Sequence, residues 1–309
     1  MNENSNWLVS NPEEEKFKQL TNQNKSGYLN ENFHLFYIKD KREISFDYHY
    51  HDFHKIVVLL QGNVTYEIEG KSYELKPYDM LLVPMHKIHR PNIDSSSTYE
   101  RYVIWISNDY LSSLADDRFT NKVTNNSDSA LTKTTGKAYY NNILEKSLIR
   151  TEKEKAEEYI ELLKKAYLAE QSDSFGSKRL SASYMDQFII LLSRFVSSPD
   201  FKEDASSIYY NKKIEQIIQY INANLTDNLS NEELSKIFYQ SKYHLMHMFK
   251  KETGYTLHAY IKEKRLILAA NLLKEGYPVS DVWDMAGFSE YSTFLRAFKS
   301  KYKRSPSSF

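Results

Sequence analysis

The sequence predicts an α+β fold class in which a β-barrel or sandwich precedes an all-helical segment. Three observations carry this. Residues 31 to 107 hold short alternating or β-branched runs, with turn residues about every eight to twelve positions. From Tyr139 onward the apolar spacing changes from two to about 3.6, the period of a helix. The last hundred or so residues contain two similar segments offset by 49 positions, so one supersecondary unit occurs twice.

At 309 residues the chain exceeds a single small core, and two domains are expected. It has no cysteine, which excludes disulfides, zinc–thiolate sites, iron–sulfur clusters and a cysteine nucleophile. The first thirty residues are polar, with Pro12-Glu13-Glu14-Glu15 and no apolar signal-peptide region. The apolar runs Ile56–Leu60 and Phe188–Leu192 are too short to cross a bilayer, so no membrane partner and a cytoplasmic location are expected. Net charge is zero, but the residues from Ile208 onward carry fifteen Lys and Arg against ten Asp and Glu. That modest basic excess suits a polyanion.

The strands are read at Phe33–Ile38, Ile44–Tyr50, Lys55–Leu60, Val64–Ile68, Leu81–Val83 and Arg101–Ile106. Turn signals fall at Gln61-Gly62-Asn63, Glu69-Gly70-Lys71 and Lys76-Pro77-Tyr78-Asp79. The polar stretch Ser107–Thr135 reads as loop with a short helix at most. Ile160, Leu163, Ala166 and Tyr167 share one helical face, and Phe188, Leu191, Leu192 and Phe195 share the next. A break lies at Ser172–Gly176, and beyond Ile208 the whole pattern is helical. The expected division is 1–136 barrel with an N-terminal arm, 137–197 helical segment, 198–209 linker and 210–309 helical domain.

The repeated segments are Leu229–Thr256 and Val279–Pro306. Each reads as a helix, a short turn, a Ser placed as an N-cap (Ser241, Ser289) and a second helix. Leu245, Met248 and Phe249, or Phe294, Ala297 and Phe298, serve the core. The opposite faces offer Tyr243, His244, Met246 and His247, or Tyr291, Ser292, Leu295 and Arg296, to a DNA major groove. Lys250, Lys251, Lys299 and Lys301 follow where phosphates would lie. One such unit alone reads equally well as a plain amphipathic pair. The uninterrupted helical pattern Leu257–Leu273 between them favours readers held at a fixed separation.

The segments Phe249–Leu273 and Ala286–Pro306 resemble the DNA-binding domain of AraC/XylS-family transcription regulators. Tyr260-Ile261, Arg265-Leu266, Ala269, Leu272-Leu273, Gly287-Phe288 and Ser305-Pro306 carry the resemblance. It implies double-stranded DNA as a partner, with Tyr243, Met246, His247, Tyr291, Ser292, Leu295 and Arg296 reading bases. Ser241, Lys250, Lys251, Arg265, Ser289, Lys299 and Lys301 would contact phosphates, Arg296 being the better candidate for a guanine. It also implies a homodimer through the helical segment, with Ile160, Leu163 and Tyr167 at the interface, and RNA polymerase as a partner if the protein is an activator. There are departures. Lys303 stands where most relatives have Gly, so that turn must avoid positive φ or bear its strain. Trp283 and Ala286 look like a volume swap on one helix face.

Phe46–Asn92 resembles the cupin-like β-barrel sensor domain of the same regulators. His49 and His51 point to one face of an extended segment, and His86 and His89 lie on a later strand end. Metal-binding cupins follow His-x-His with Glu four or five residues on, but here those positions are Lys55 and Ile56. With the acidic ligand missing, no metal and no cofactor are expected. Histidines simply packed in the barrel remain an open reading. The leading expectation is a small-molecule effector pocket, for a sugar or organic acid, lined by His49, His51, Tyr66 and His89. The function expected is thus an effector-responsive DNA-binding regulator and not an enzyme. The alternatives are a regulator whose barrel only dimerises, or a metal-dependent cupin enzyme.

Overall fold

The computed structural model describes residues 29, 31–41, 46–94, 97–114, 136–203 and 208–309. The acidic N-terminal cluster and the polar stretch 115–135 lie outside the described residues. Nine strands build two antiparallel sheets among the described residues: β1 Phe33–Asp40, β2 His54–Gln61, β3 Val64–Ile68, β4 Lys71–Leu75, β5 Met80–Val83, β6 His89–Ile93, β7 Tyr99–Ile106, β8 Leu148–Ile149 and β9 Ile208–Tyr210. Their orders are β1-β7-β2-β5-β8 and β6-β3-β4-β9.

The larger sheet is covered on both faces, which is why β2 reads as a nearly continuous apolar run. Val57 and Leu59 pack inward on Val64, Tyr66, Tyr73 and Leu75 of the second sheet. Ile56 and Val58 pack outward on helices. Those helices are α1 Asn108–Leu114, α2 Gly136–Glu145, α3 Lys153–Glu170 and α4 Ser177–Val196. Leu163 of α3 is fully buried in this layer with Tyr159, Phe188 and Leu192, and the Tyr167 ring lies tilted against Tyr37 of β1, with centroids 6.1 Å apart. Of the strip expected at a dimer interface, Leu163 is buried within the chain, while Ile160 and Tyr167 are half-buried against the same core. The large apolar side chains that this helix pair and its connecting loop leave exposed are Leu168, Phe175 and Leu180.

Two expectations change here. Ile44–Tyr50 does not form a strand in its described part; it makes one antiparallel bridge, His49 to His89. Residues after Ile208 do not start as helix, because Ile208–Tyr210 adds to the edge of β4. Both are long-range pairings that local periodicity does not report. The β3–β4 turn, Glu69 at φ 45° and Gly70 at φ 85°, has two successive left-handed residues, the geometry of a tight two-residue hairpin.

The C-terminal domain comprises α5 Lys212–Ala223, α6 Asn231–Ile237, α7 Lys242–Thr253, α8 Leu257–Lys274, α9 Val279–Met285 and α10 Tyr291–Tyr302. The first unit is α6–α7 and the second α9–α10. Side-chain caps start four of these helices: Asn211, Ser230, Ser241 and Thr256 each accept from backbone N–H groups of the first turn. Ser289 does not cap α10; Glu290 holds the cap position, without a side-chain bond. α8 has 18 residues, roughly 27 Å of rod, and joins two separate small cores. Gly287, at φ 83°, is required on two counts, because a Cβ there would lie 2.4 Å from the Leu225 carbonyl oxygen. Trp283 and Ala286 share the second core, with Trp283 edge-on to Tyr291.

Lys303 closes α10 in the left-handed conformation at φ 59°, its N–H donating to the Lys299 carbonyl at 3.0 Å. It bears the strain that a glycine would avoid. Lys303→Gly should stabilise the domain by about 0.5–1 kcal/mol in urea unfolding, and a loss of stability would show the turn is unstrained.

Candidate DNA interface and barrel histidine cluster

Each second helix of the repeat turns a polar face to solvent. On α7, Tyr243 and Met246 are 80% and 38% exposed, and His247 stacks on Tyr243 one turn away. On α10, Tyr291, Ser292 and Arg296 are exposed, while Leu295 is half-buried in the second core and serves packing. Lys250, Lys251 and Lys299 are exposed at the helix ends. Two of the expected phosphate ligands are engaged elsewhere. Arg265 donates to the Leu225 and Asp227 carbonyls at 2.8 and 2.7 Å, fastening the α5–α6 loop. Lys301 is paired with Glu263 and donates to Tyr50 of the barrel at 3.2 Å. Tyr239, left-handed at φ 50° and 91% exposed in the first turn, went unremarked in the sequence; its exposure is a tertiary property.

The barrel grips this domain from behind, leaving both faces open. Glu69, at the tip of the β3–β4 turn, is buried, with 7% exposure. It accepts from Lys264 at 2.8 Å, Lys87 at 2.6 Å and the Tyr260 hydroxyl at 3.0 Å. Burial pushes its carboxyl up, but Lys264 and Lys87 outweigh that and hold it below the ordinary range. Lys264 also donates to the His86 carbonyl at 2.8 Å. Gly70 leaves room for α5, since a Cβ would lie 2.6 Å from Ile214. Tyr48 donates to Glu67 and to the Glu252 carbonyl, its ring filling the space beside Gly254. Tyr50 donates to Glu263 of α8.

His49 lies between these tyrosines and His51 directly follows them. The rings of His49, His51 and His89 come together, with centroids 4.4 to 5.0 Å apart. His51 stacks flat on Phe53, beside Trp105. His86, at φ 64°, stays out of this cluster, and its backbone serves the interdomain contact. His54 accepts from the Met85 N–H at 3.2 Å and is a packed, bonded histidine. Tyr66 belongs to a different polar group: its hydroxyl meets that of Tyr99 at 3.4 Å and Lys55 lies over its ring. Lys55, overlooked as a site residue, is buried, and its ammonium is lowered to about 7 by burial and by Arg101. Two cavities lie away from the histidines. A cavity of about 550 Å³ lies between barrel and α3, lined by Gln61, Tyr78, Glu100 and Lys164. One of about 190 Å³ lies at the domain joint, lined by Tyr48, Arg90 and Lys251.

Burial lowers His49 and His54 to about 4, His86 to about 3, and His51 and His89 well below the usual imidazole value. Below the ordinary value near 6.5 the unfolded chain therefore binds more protons than the folded one, and stability falls with pH. Thermal midpoints should drop from about pH 6.5 to pH 4, and less steeply in His86→Gln; a flat profile would contradict the burial of these rings.

Residues 34–134 match the model of the AraC-like ligand binding domain, and residues 234–309 that of a helix-turn-helix domain. The multiple antibiotic resistance protein MarA of Escherichia coli is 37% identical over 94 residues, covering 30% of this chain and 74% of MarA. The HTH-type transcriptional regulator YbfP of Bacillus subtilis is 31% identical over 103 residues, covering 33% of this chain and 35% of YbfP, about a third of that relative's length. ToxT of Vibrio cholerae, at 16% identity, covers 90% of this chain and 97% of its own, with a TM-score of 0.32. With tandem units on one rod, a two-sheet barrel and these matches, the chain belongs to the AraC family of transcription regulators.

Proposed function

We propose that this regulator binds double-stranded DNA through both helix-turn-helix units and that the barrel controls how the two are presented. The observation that carries the reading is the exposure of both recognition faces while the barrel holds the joint between them. Tyr243, Met246 and His247 read one half of the site, and Tyr291, Ser292 and Arg296 the other. Ser241, Lys250, Lys251, Ser289 and Lys299 contact phosphates, while Arg265 and Lys301 act structurally. RNA polymerase is a further partner if the protein activates. A homodimer formed through the helical segment would use Leu168, Phe175 and Leu180 instead of the buried Leu163.

An effector changes the docking of the two domains by binding one arrangement better than another.

Arg296→Ala should relax preference at one position of a selected DNA site, costing about 1–3 kcal/mol there, whereas a uniform loss across sequences would make Arg296 a phosphate contact. Glu69→Gln leaves two lysines without their buried carboxylate and should loosen the docking. DNA affinity measured by anisotropy should then rise several-fold; an unchanged affinity would make the barrel a bystander.

A further inference from the structure

We propose that His49, His51 and His89 bind one divalent transition-metal cation, and that its occupancy is passed through Tyr48 and Tyr50 to the joint of the two reading units. The second half rests on the DNA-binding reading above; the first does not.

The backbone sets the cluster. His49 and His89 exchange both hydrogen bonds of an antiparallel bridge, at 3.0 and 2.8 Å, and the His51 carbonyl accepts from the His86 N–H at 2.7 Å. Ligand nitrogens of the three rings lie within 4.8 Å of one another. His49 Nδ1 faces the Asp47 carbonyl at 2.8 Å, and His89 Nδ1 faces the Lys87 carbonyl at 2.9 Å. A carbonyl only accepts, so both Nδ1 atoms carry the proton and both Nε2 atoms keep a lone pair. This is the arrangement that orients a metal-ligating imidazole. Nε2 of His51 and of His89 are buried without a hydrogen-bond partner.

Packing alone accounts poorly for this. Each buried polar atom left without a partner costs about 1–3 kcal/mol. The Phe53 stack explains where the His51 ring lies but satisfies no nitrogen. The ligand nitrogens of three imidazoles converge, and no protein group reaches Nε2 of His51 or of His89. A cation satisfies all three, and neutral imidazoles are the ligating form. The missing carboxylate, which argued against a metal in the sequence, specifies the class instead. Three imidazoles suit zinc, nickel, cobalt or iron(II) over magnesium or calcium, and leave a coordination position open.

The same segment faces both ways. Tyr48 and Tyr50 alternate with His49 and His51, and they contact Glu252, Gly254, Glu263 and Lys301 of the reading domain. Nitrogens bound to one ion at about 2.1 Å sit roughly 3.0–3.4 Å apart, closer than the spread seen here. Binding therefore draws the histidines inward, and Tyr48 has no free space against Gly254 in which to lag.

The full chain, stripped with a chelator, should take up one Co²⁺ per chain, giving visible absorption that Zn²⁺ abolishes. His49→Gln, His51→Gln and His89→Gln should each lose it, while His54→Gln should retain it; circular dichroism melts identify any variant that is unfolded, and His49→Gln, at the half-buried position, is the mildest. No uptake, or uptake unchanged in all three variants, overturns the site. Co²⁺ should shift DNA affinity several-fold in the parent chain and not in Tyr50→Phe, which should still take up Co²⁺. Metal uptake with no shift overturns the transmission. A chain that binds DNA but no metal fails here alone, whereas one that binds metal but no DNA sinks the regulator reading and leaves the site standing.

Discussion

The buried carboxylate of Glu69 is the contact on which the arrangement of the two domains depends. A single carboxylate in an apolar interface is costly unless its lone pairs are occupied, and here three donors from two domains occupy them. The turn that delivers it needs left-handed φ at Glu69 and Gly70, and Gly70 also admits Ile214 of α5. The hairpin tip thus sets two contacts at once, one polar and one apolar. Ile88 extends the apolar part into the core of α5, α7 and α8, so the first reading unit shares its core with the barrel. Undocking must expose that shared surface, which makes the docked state a discrete arrangement and not a loose association.

Beside that anchor, residues 48 to 51 supply the connection between barrel chemistry and domain geometry. Extended backbone alternates its side chains, and the alternation here divides histidines from tyrosines. Neither half is special alone. A histidine cluster deep in a barrel would be insulated from DNA, and tyrosines on a domain joint would have nothing to report. Tyr50 ends at the Glu263–Lys301 pair, where α8 meets the end of α10. On the proposed reading, a displacement there would alter the angle between the two units.

What the sequence revealed follows from how local each signal is. The repeat, the long helix and the Ser241 cap depend on residues within a few turns of one another, and periodicity reports them well. β4, β6, β8 and β9 escaped because Lys71–Leu75 is short and opens on two polar residues, His89–Ile93 carries a proline, and Leu148–Ile149 and Ile208–Tyr210 have meaning only beside their partner strands. Leu163 showed an apolar face truly enough, but periodicity does not say whose surface covers it. Lys301 and Arg265 lie among basic residues fit for phosphates, yet their partners, Tyr50 and the α5–α6 loop, lie 251 and about 40 positions away. His49, His51 and His89 share one cluster because of the bridge between His49 and His89, a long-range pairing whose geometry spacing along the chain does not report.

The two reading units are also unequal in how the barrel constrains them. The first packs its core against Ile88, Tyr48 and Tyr50, so its orientation follows the barrel. The second has a core of its own and meets the barrel through Lys301, which donates to Tyr50. A change at the histidines would therefore move the second unit relative to a first that stays with the barrel. The first carries Tyr243, Met246 and His247, and the second carries Arg296, whose guanidinium can make two bonds to a guanine edge. Control would then act on the unit with the sharper base preference, so a change in docking should alter the affinity most at sites that use that preference.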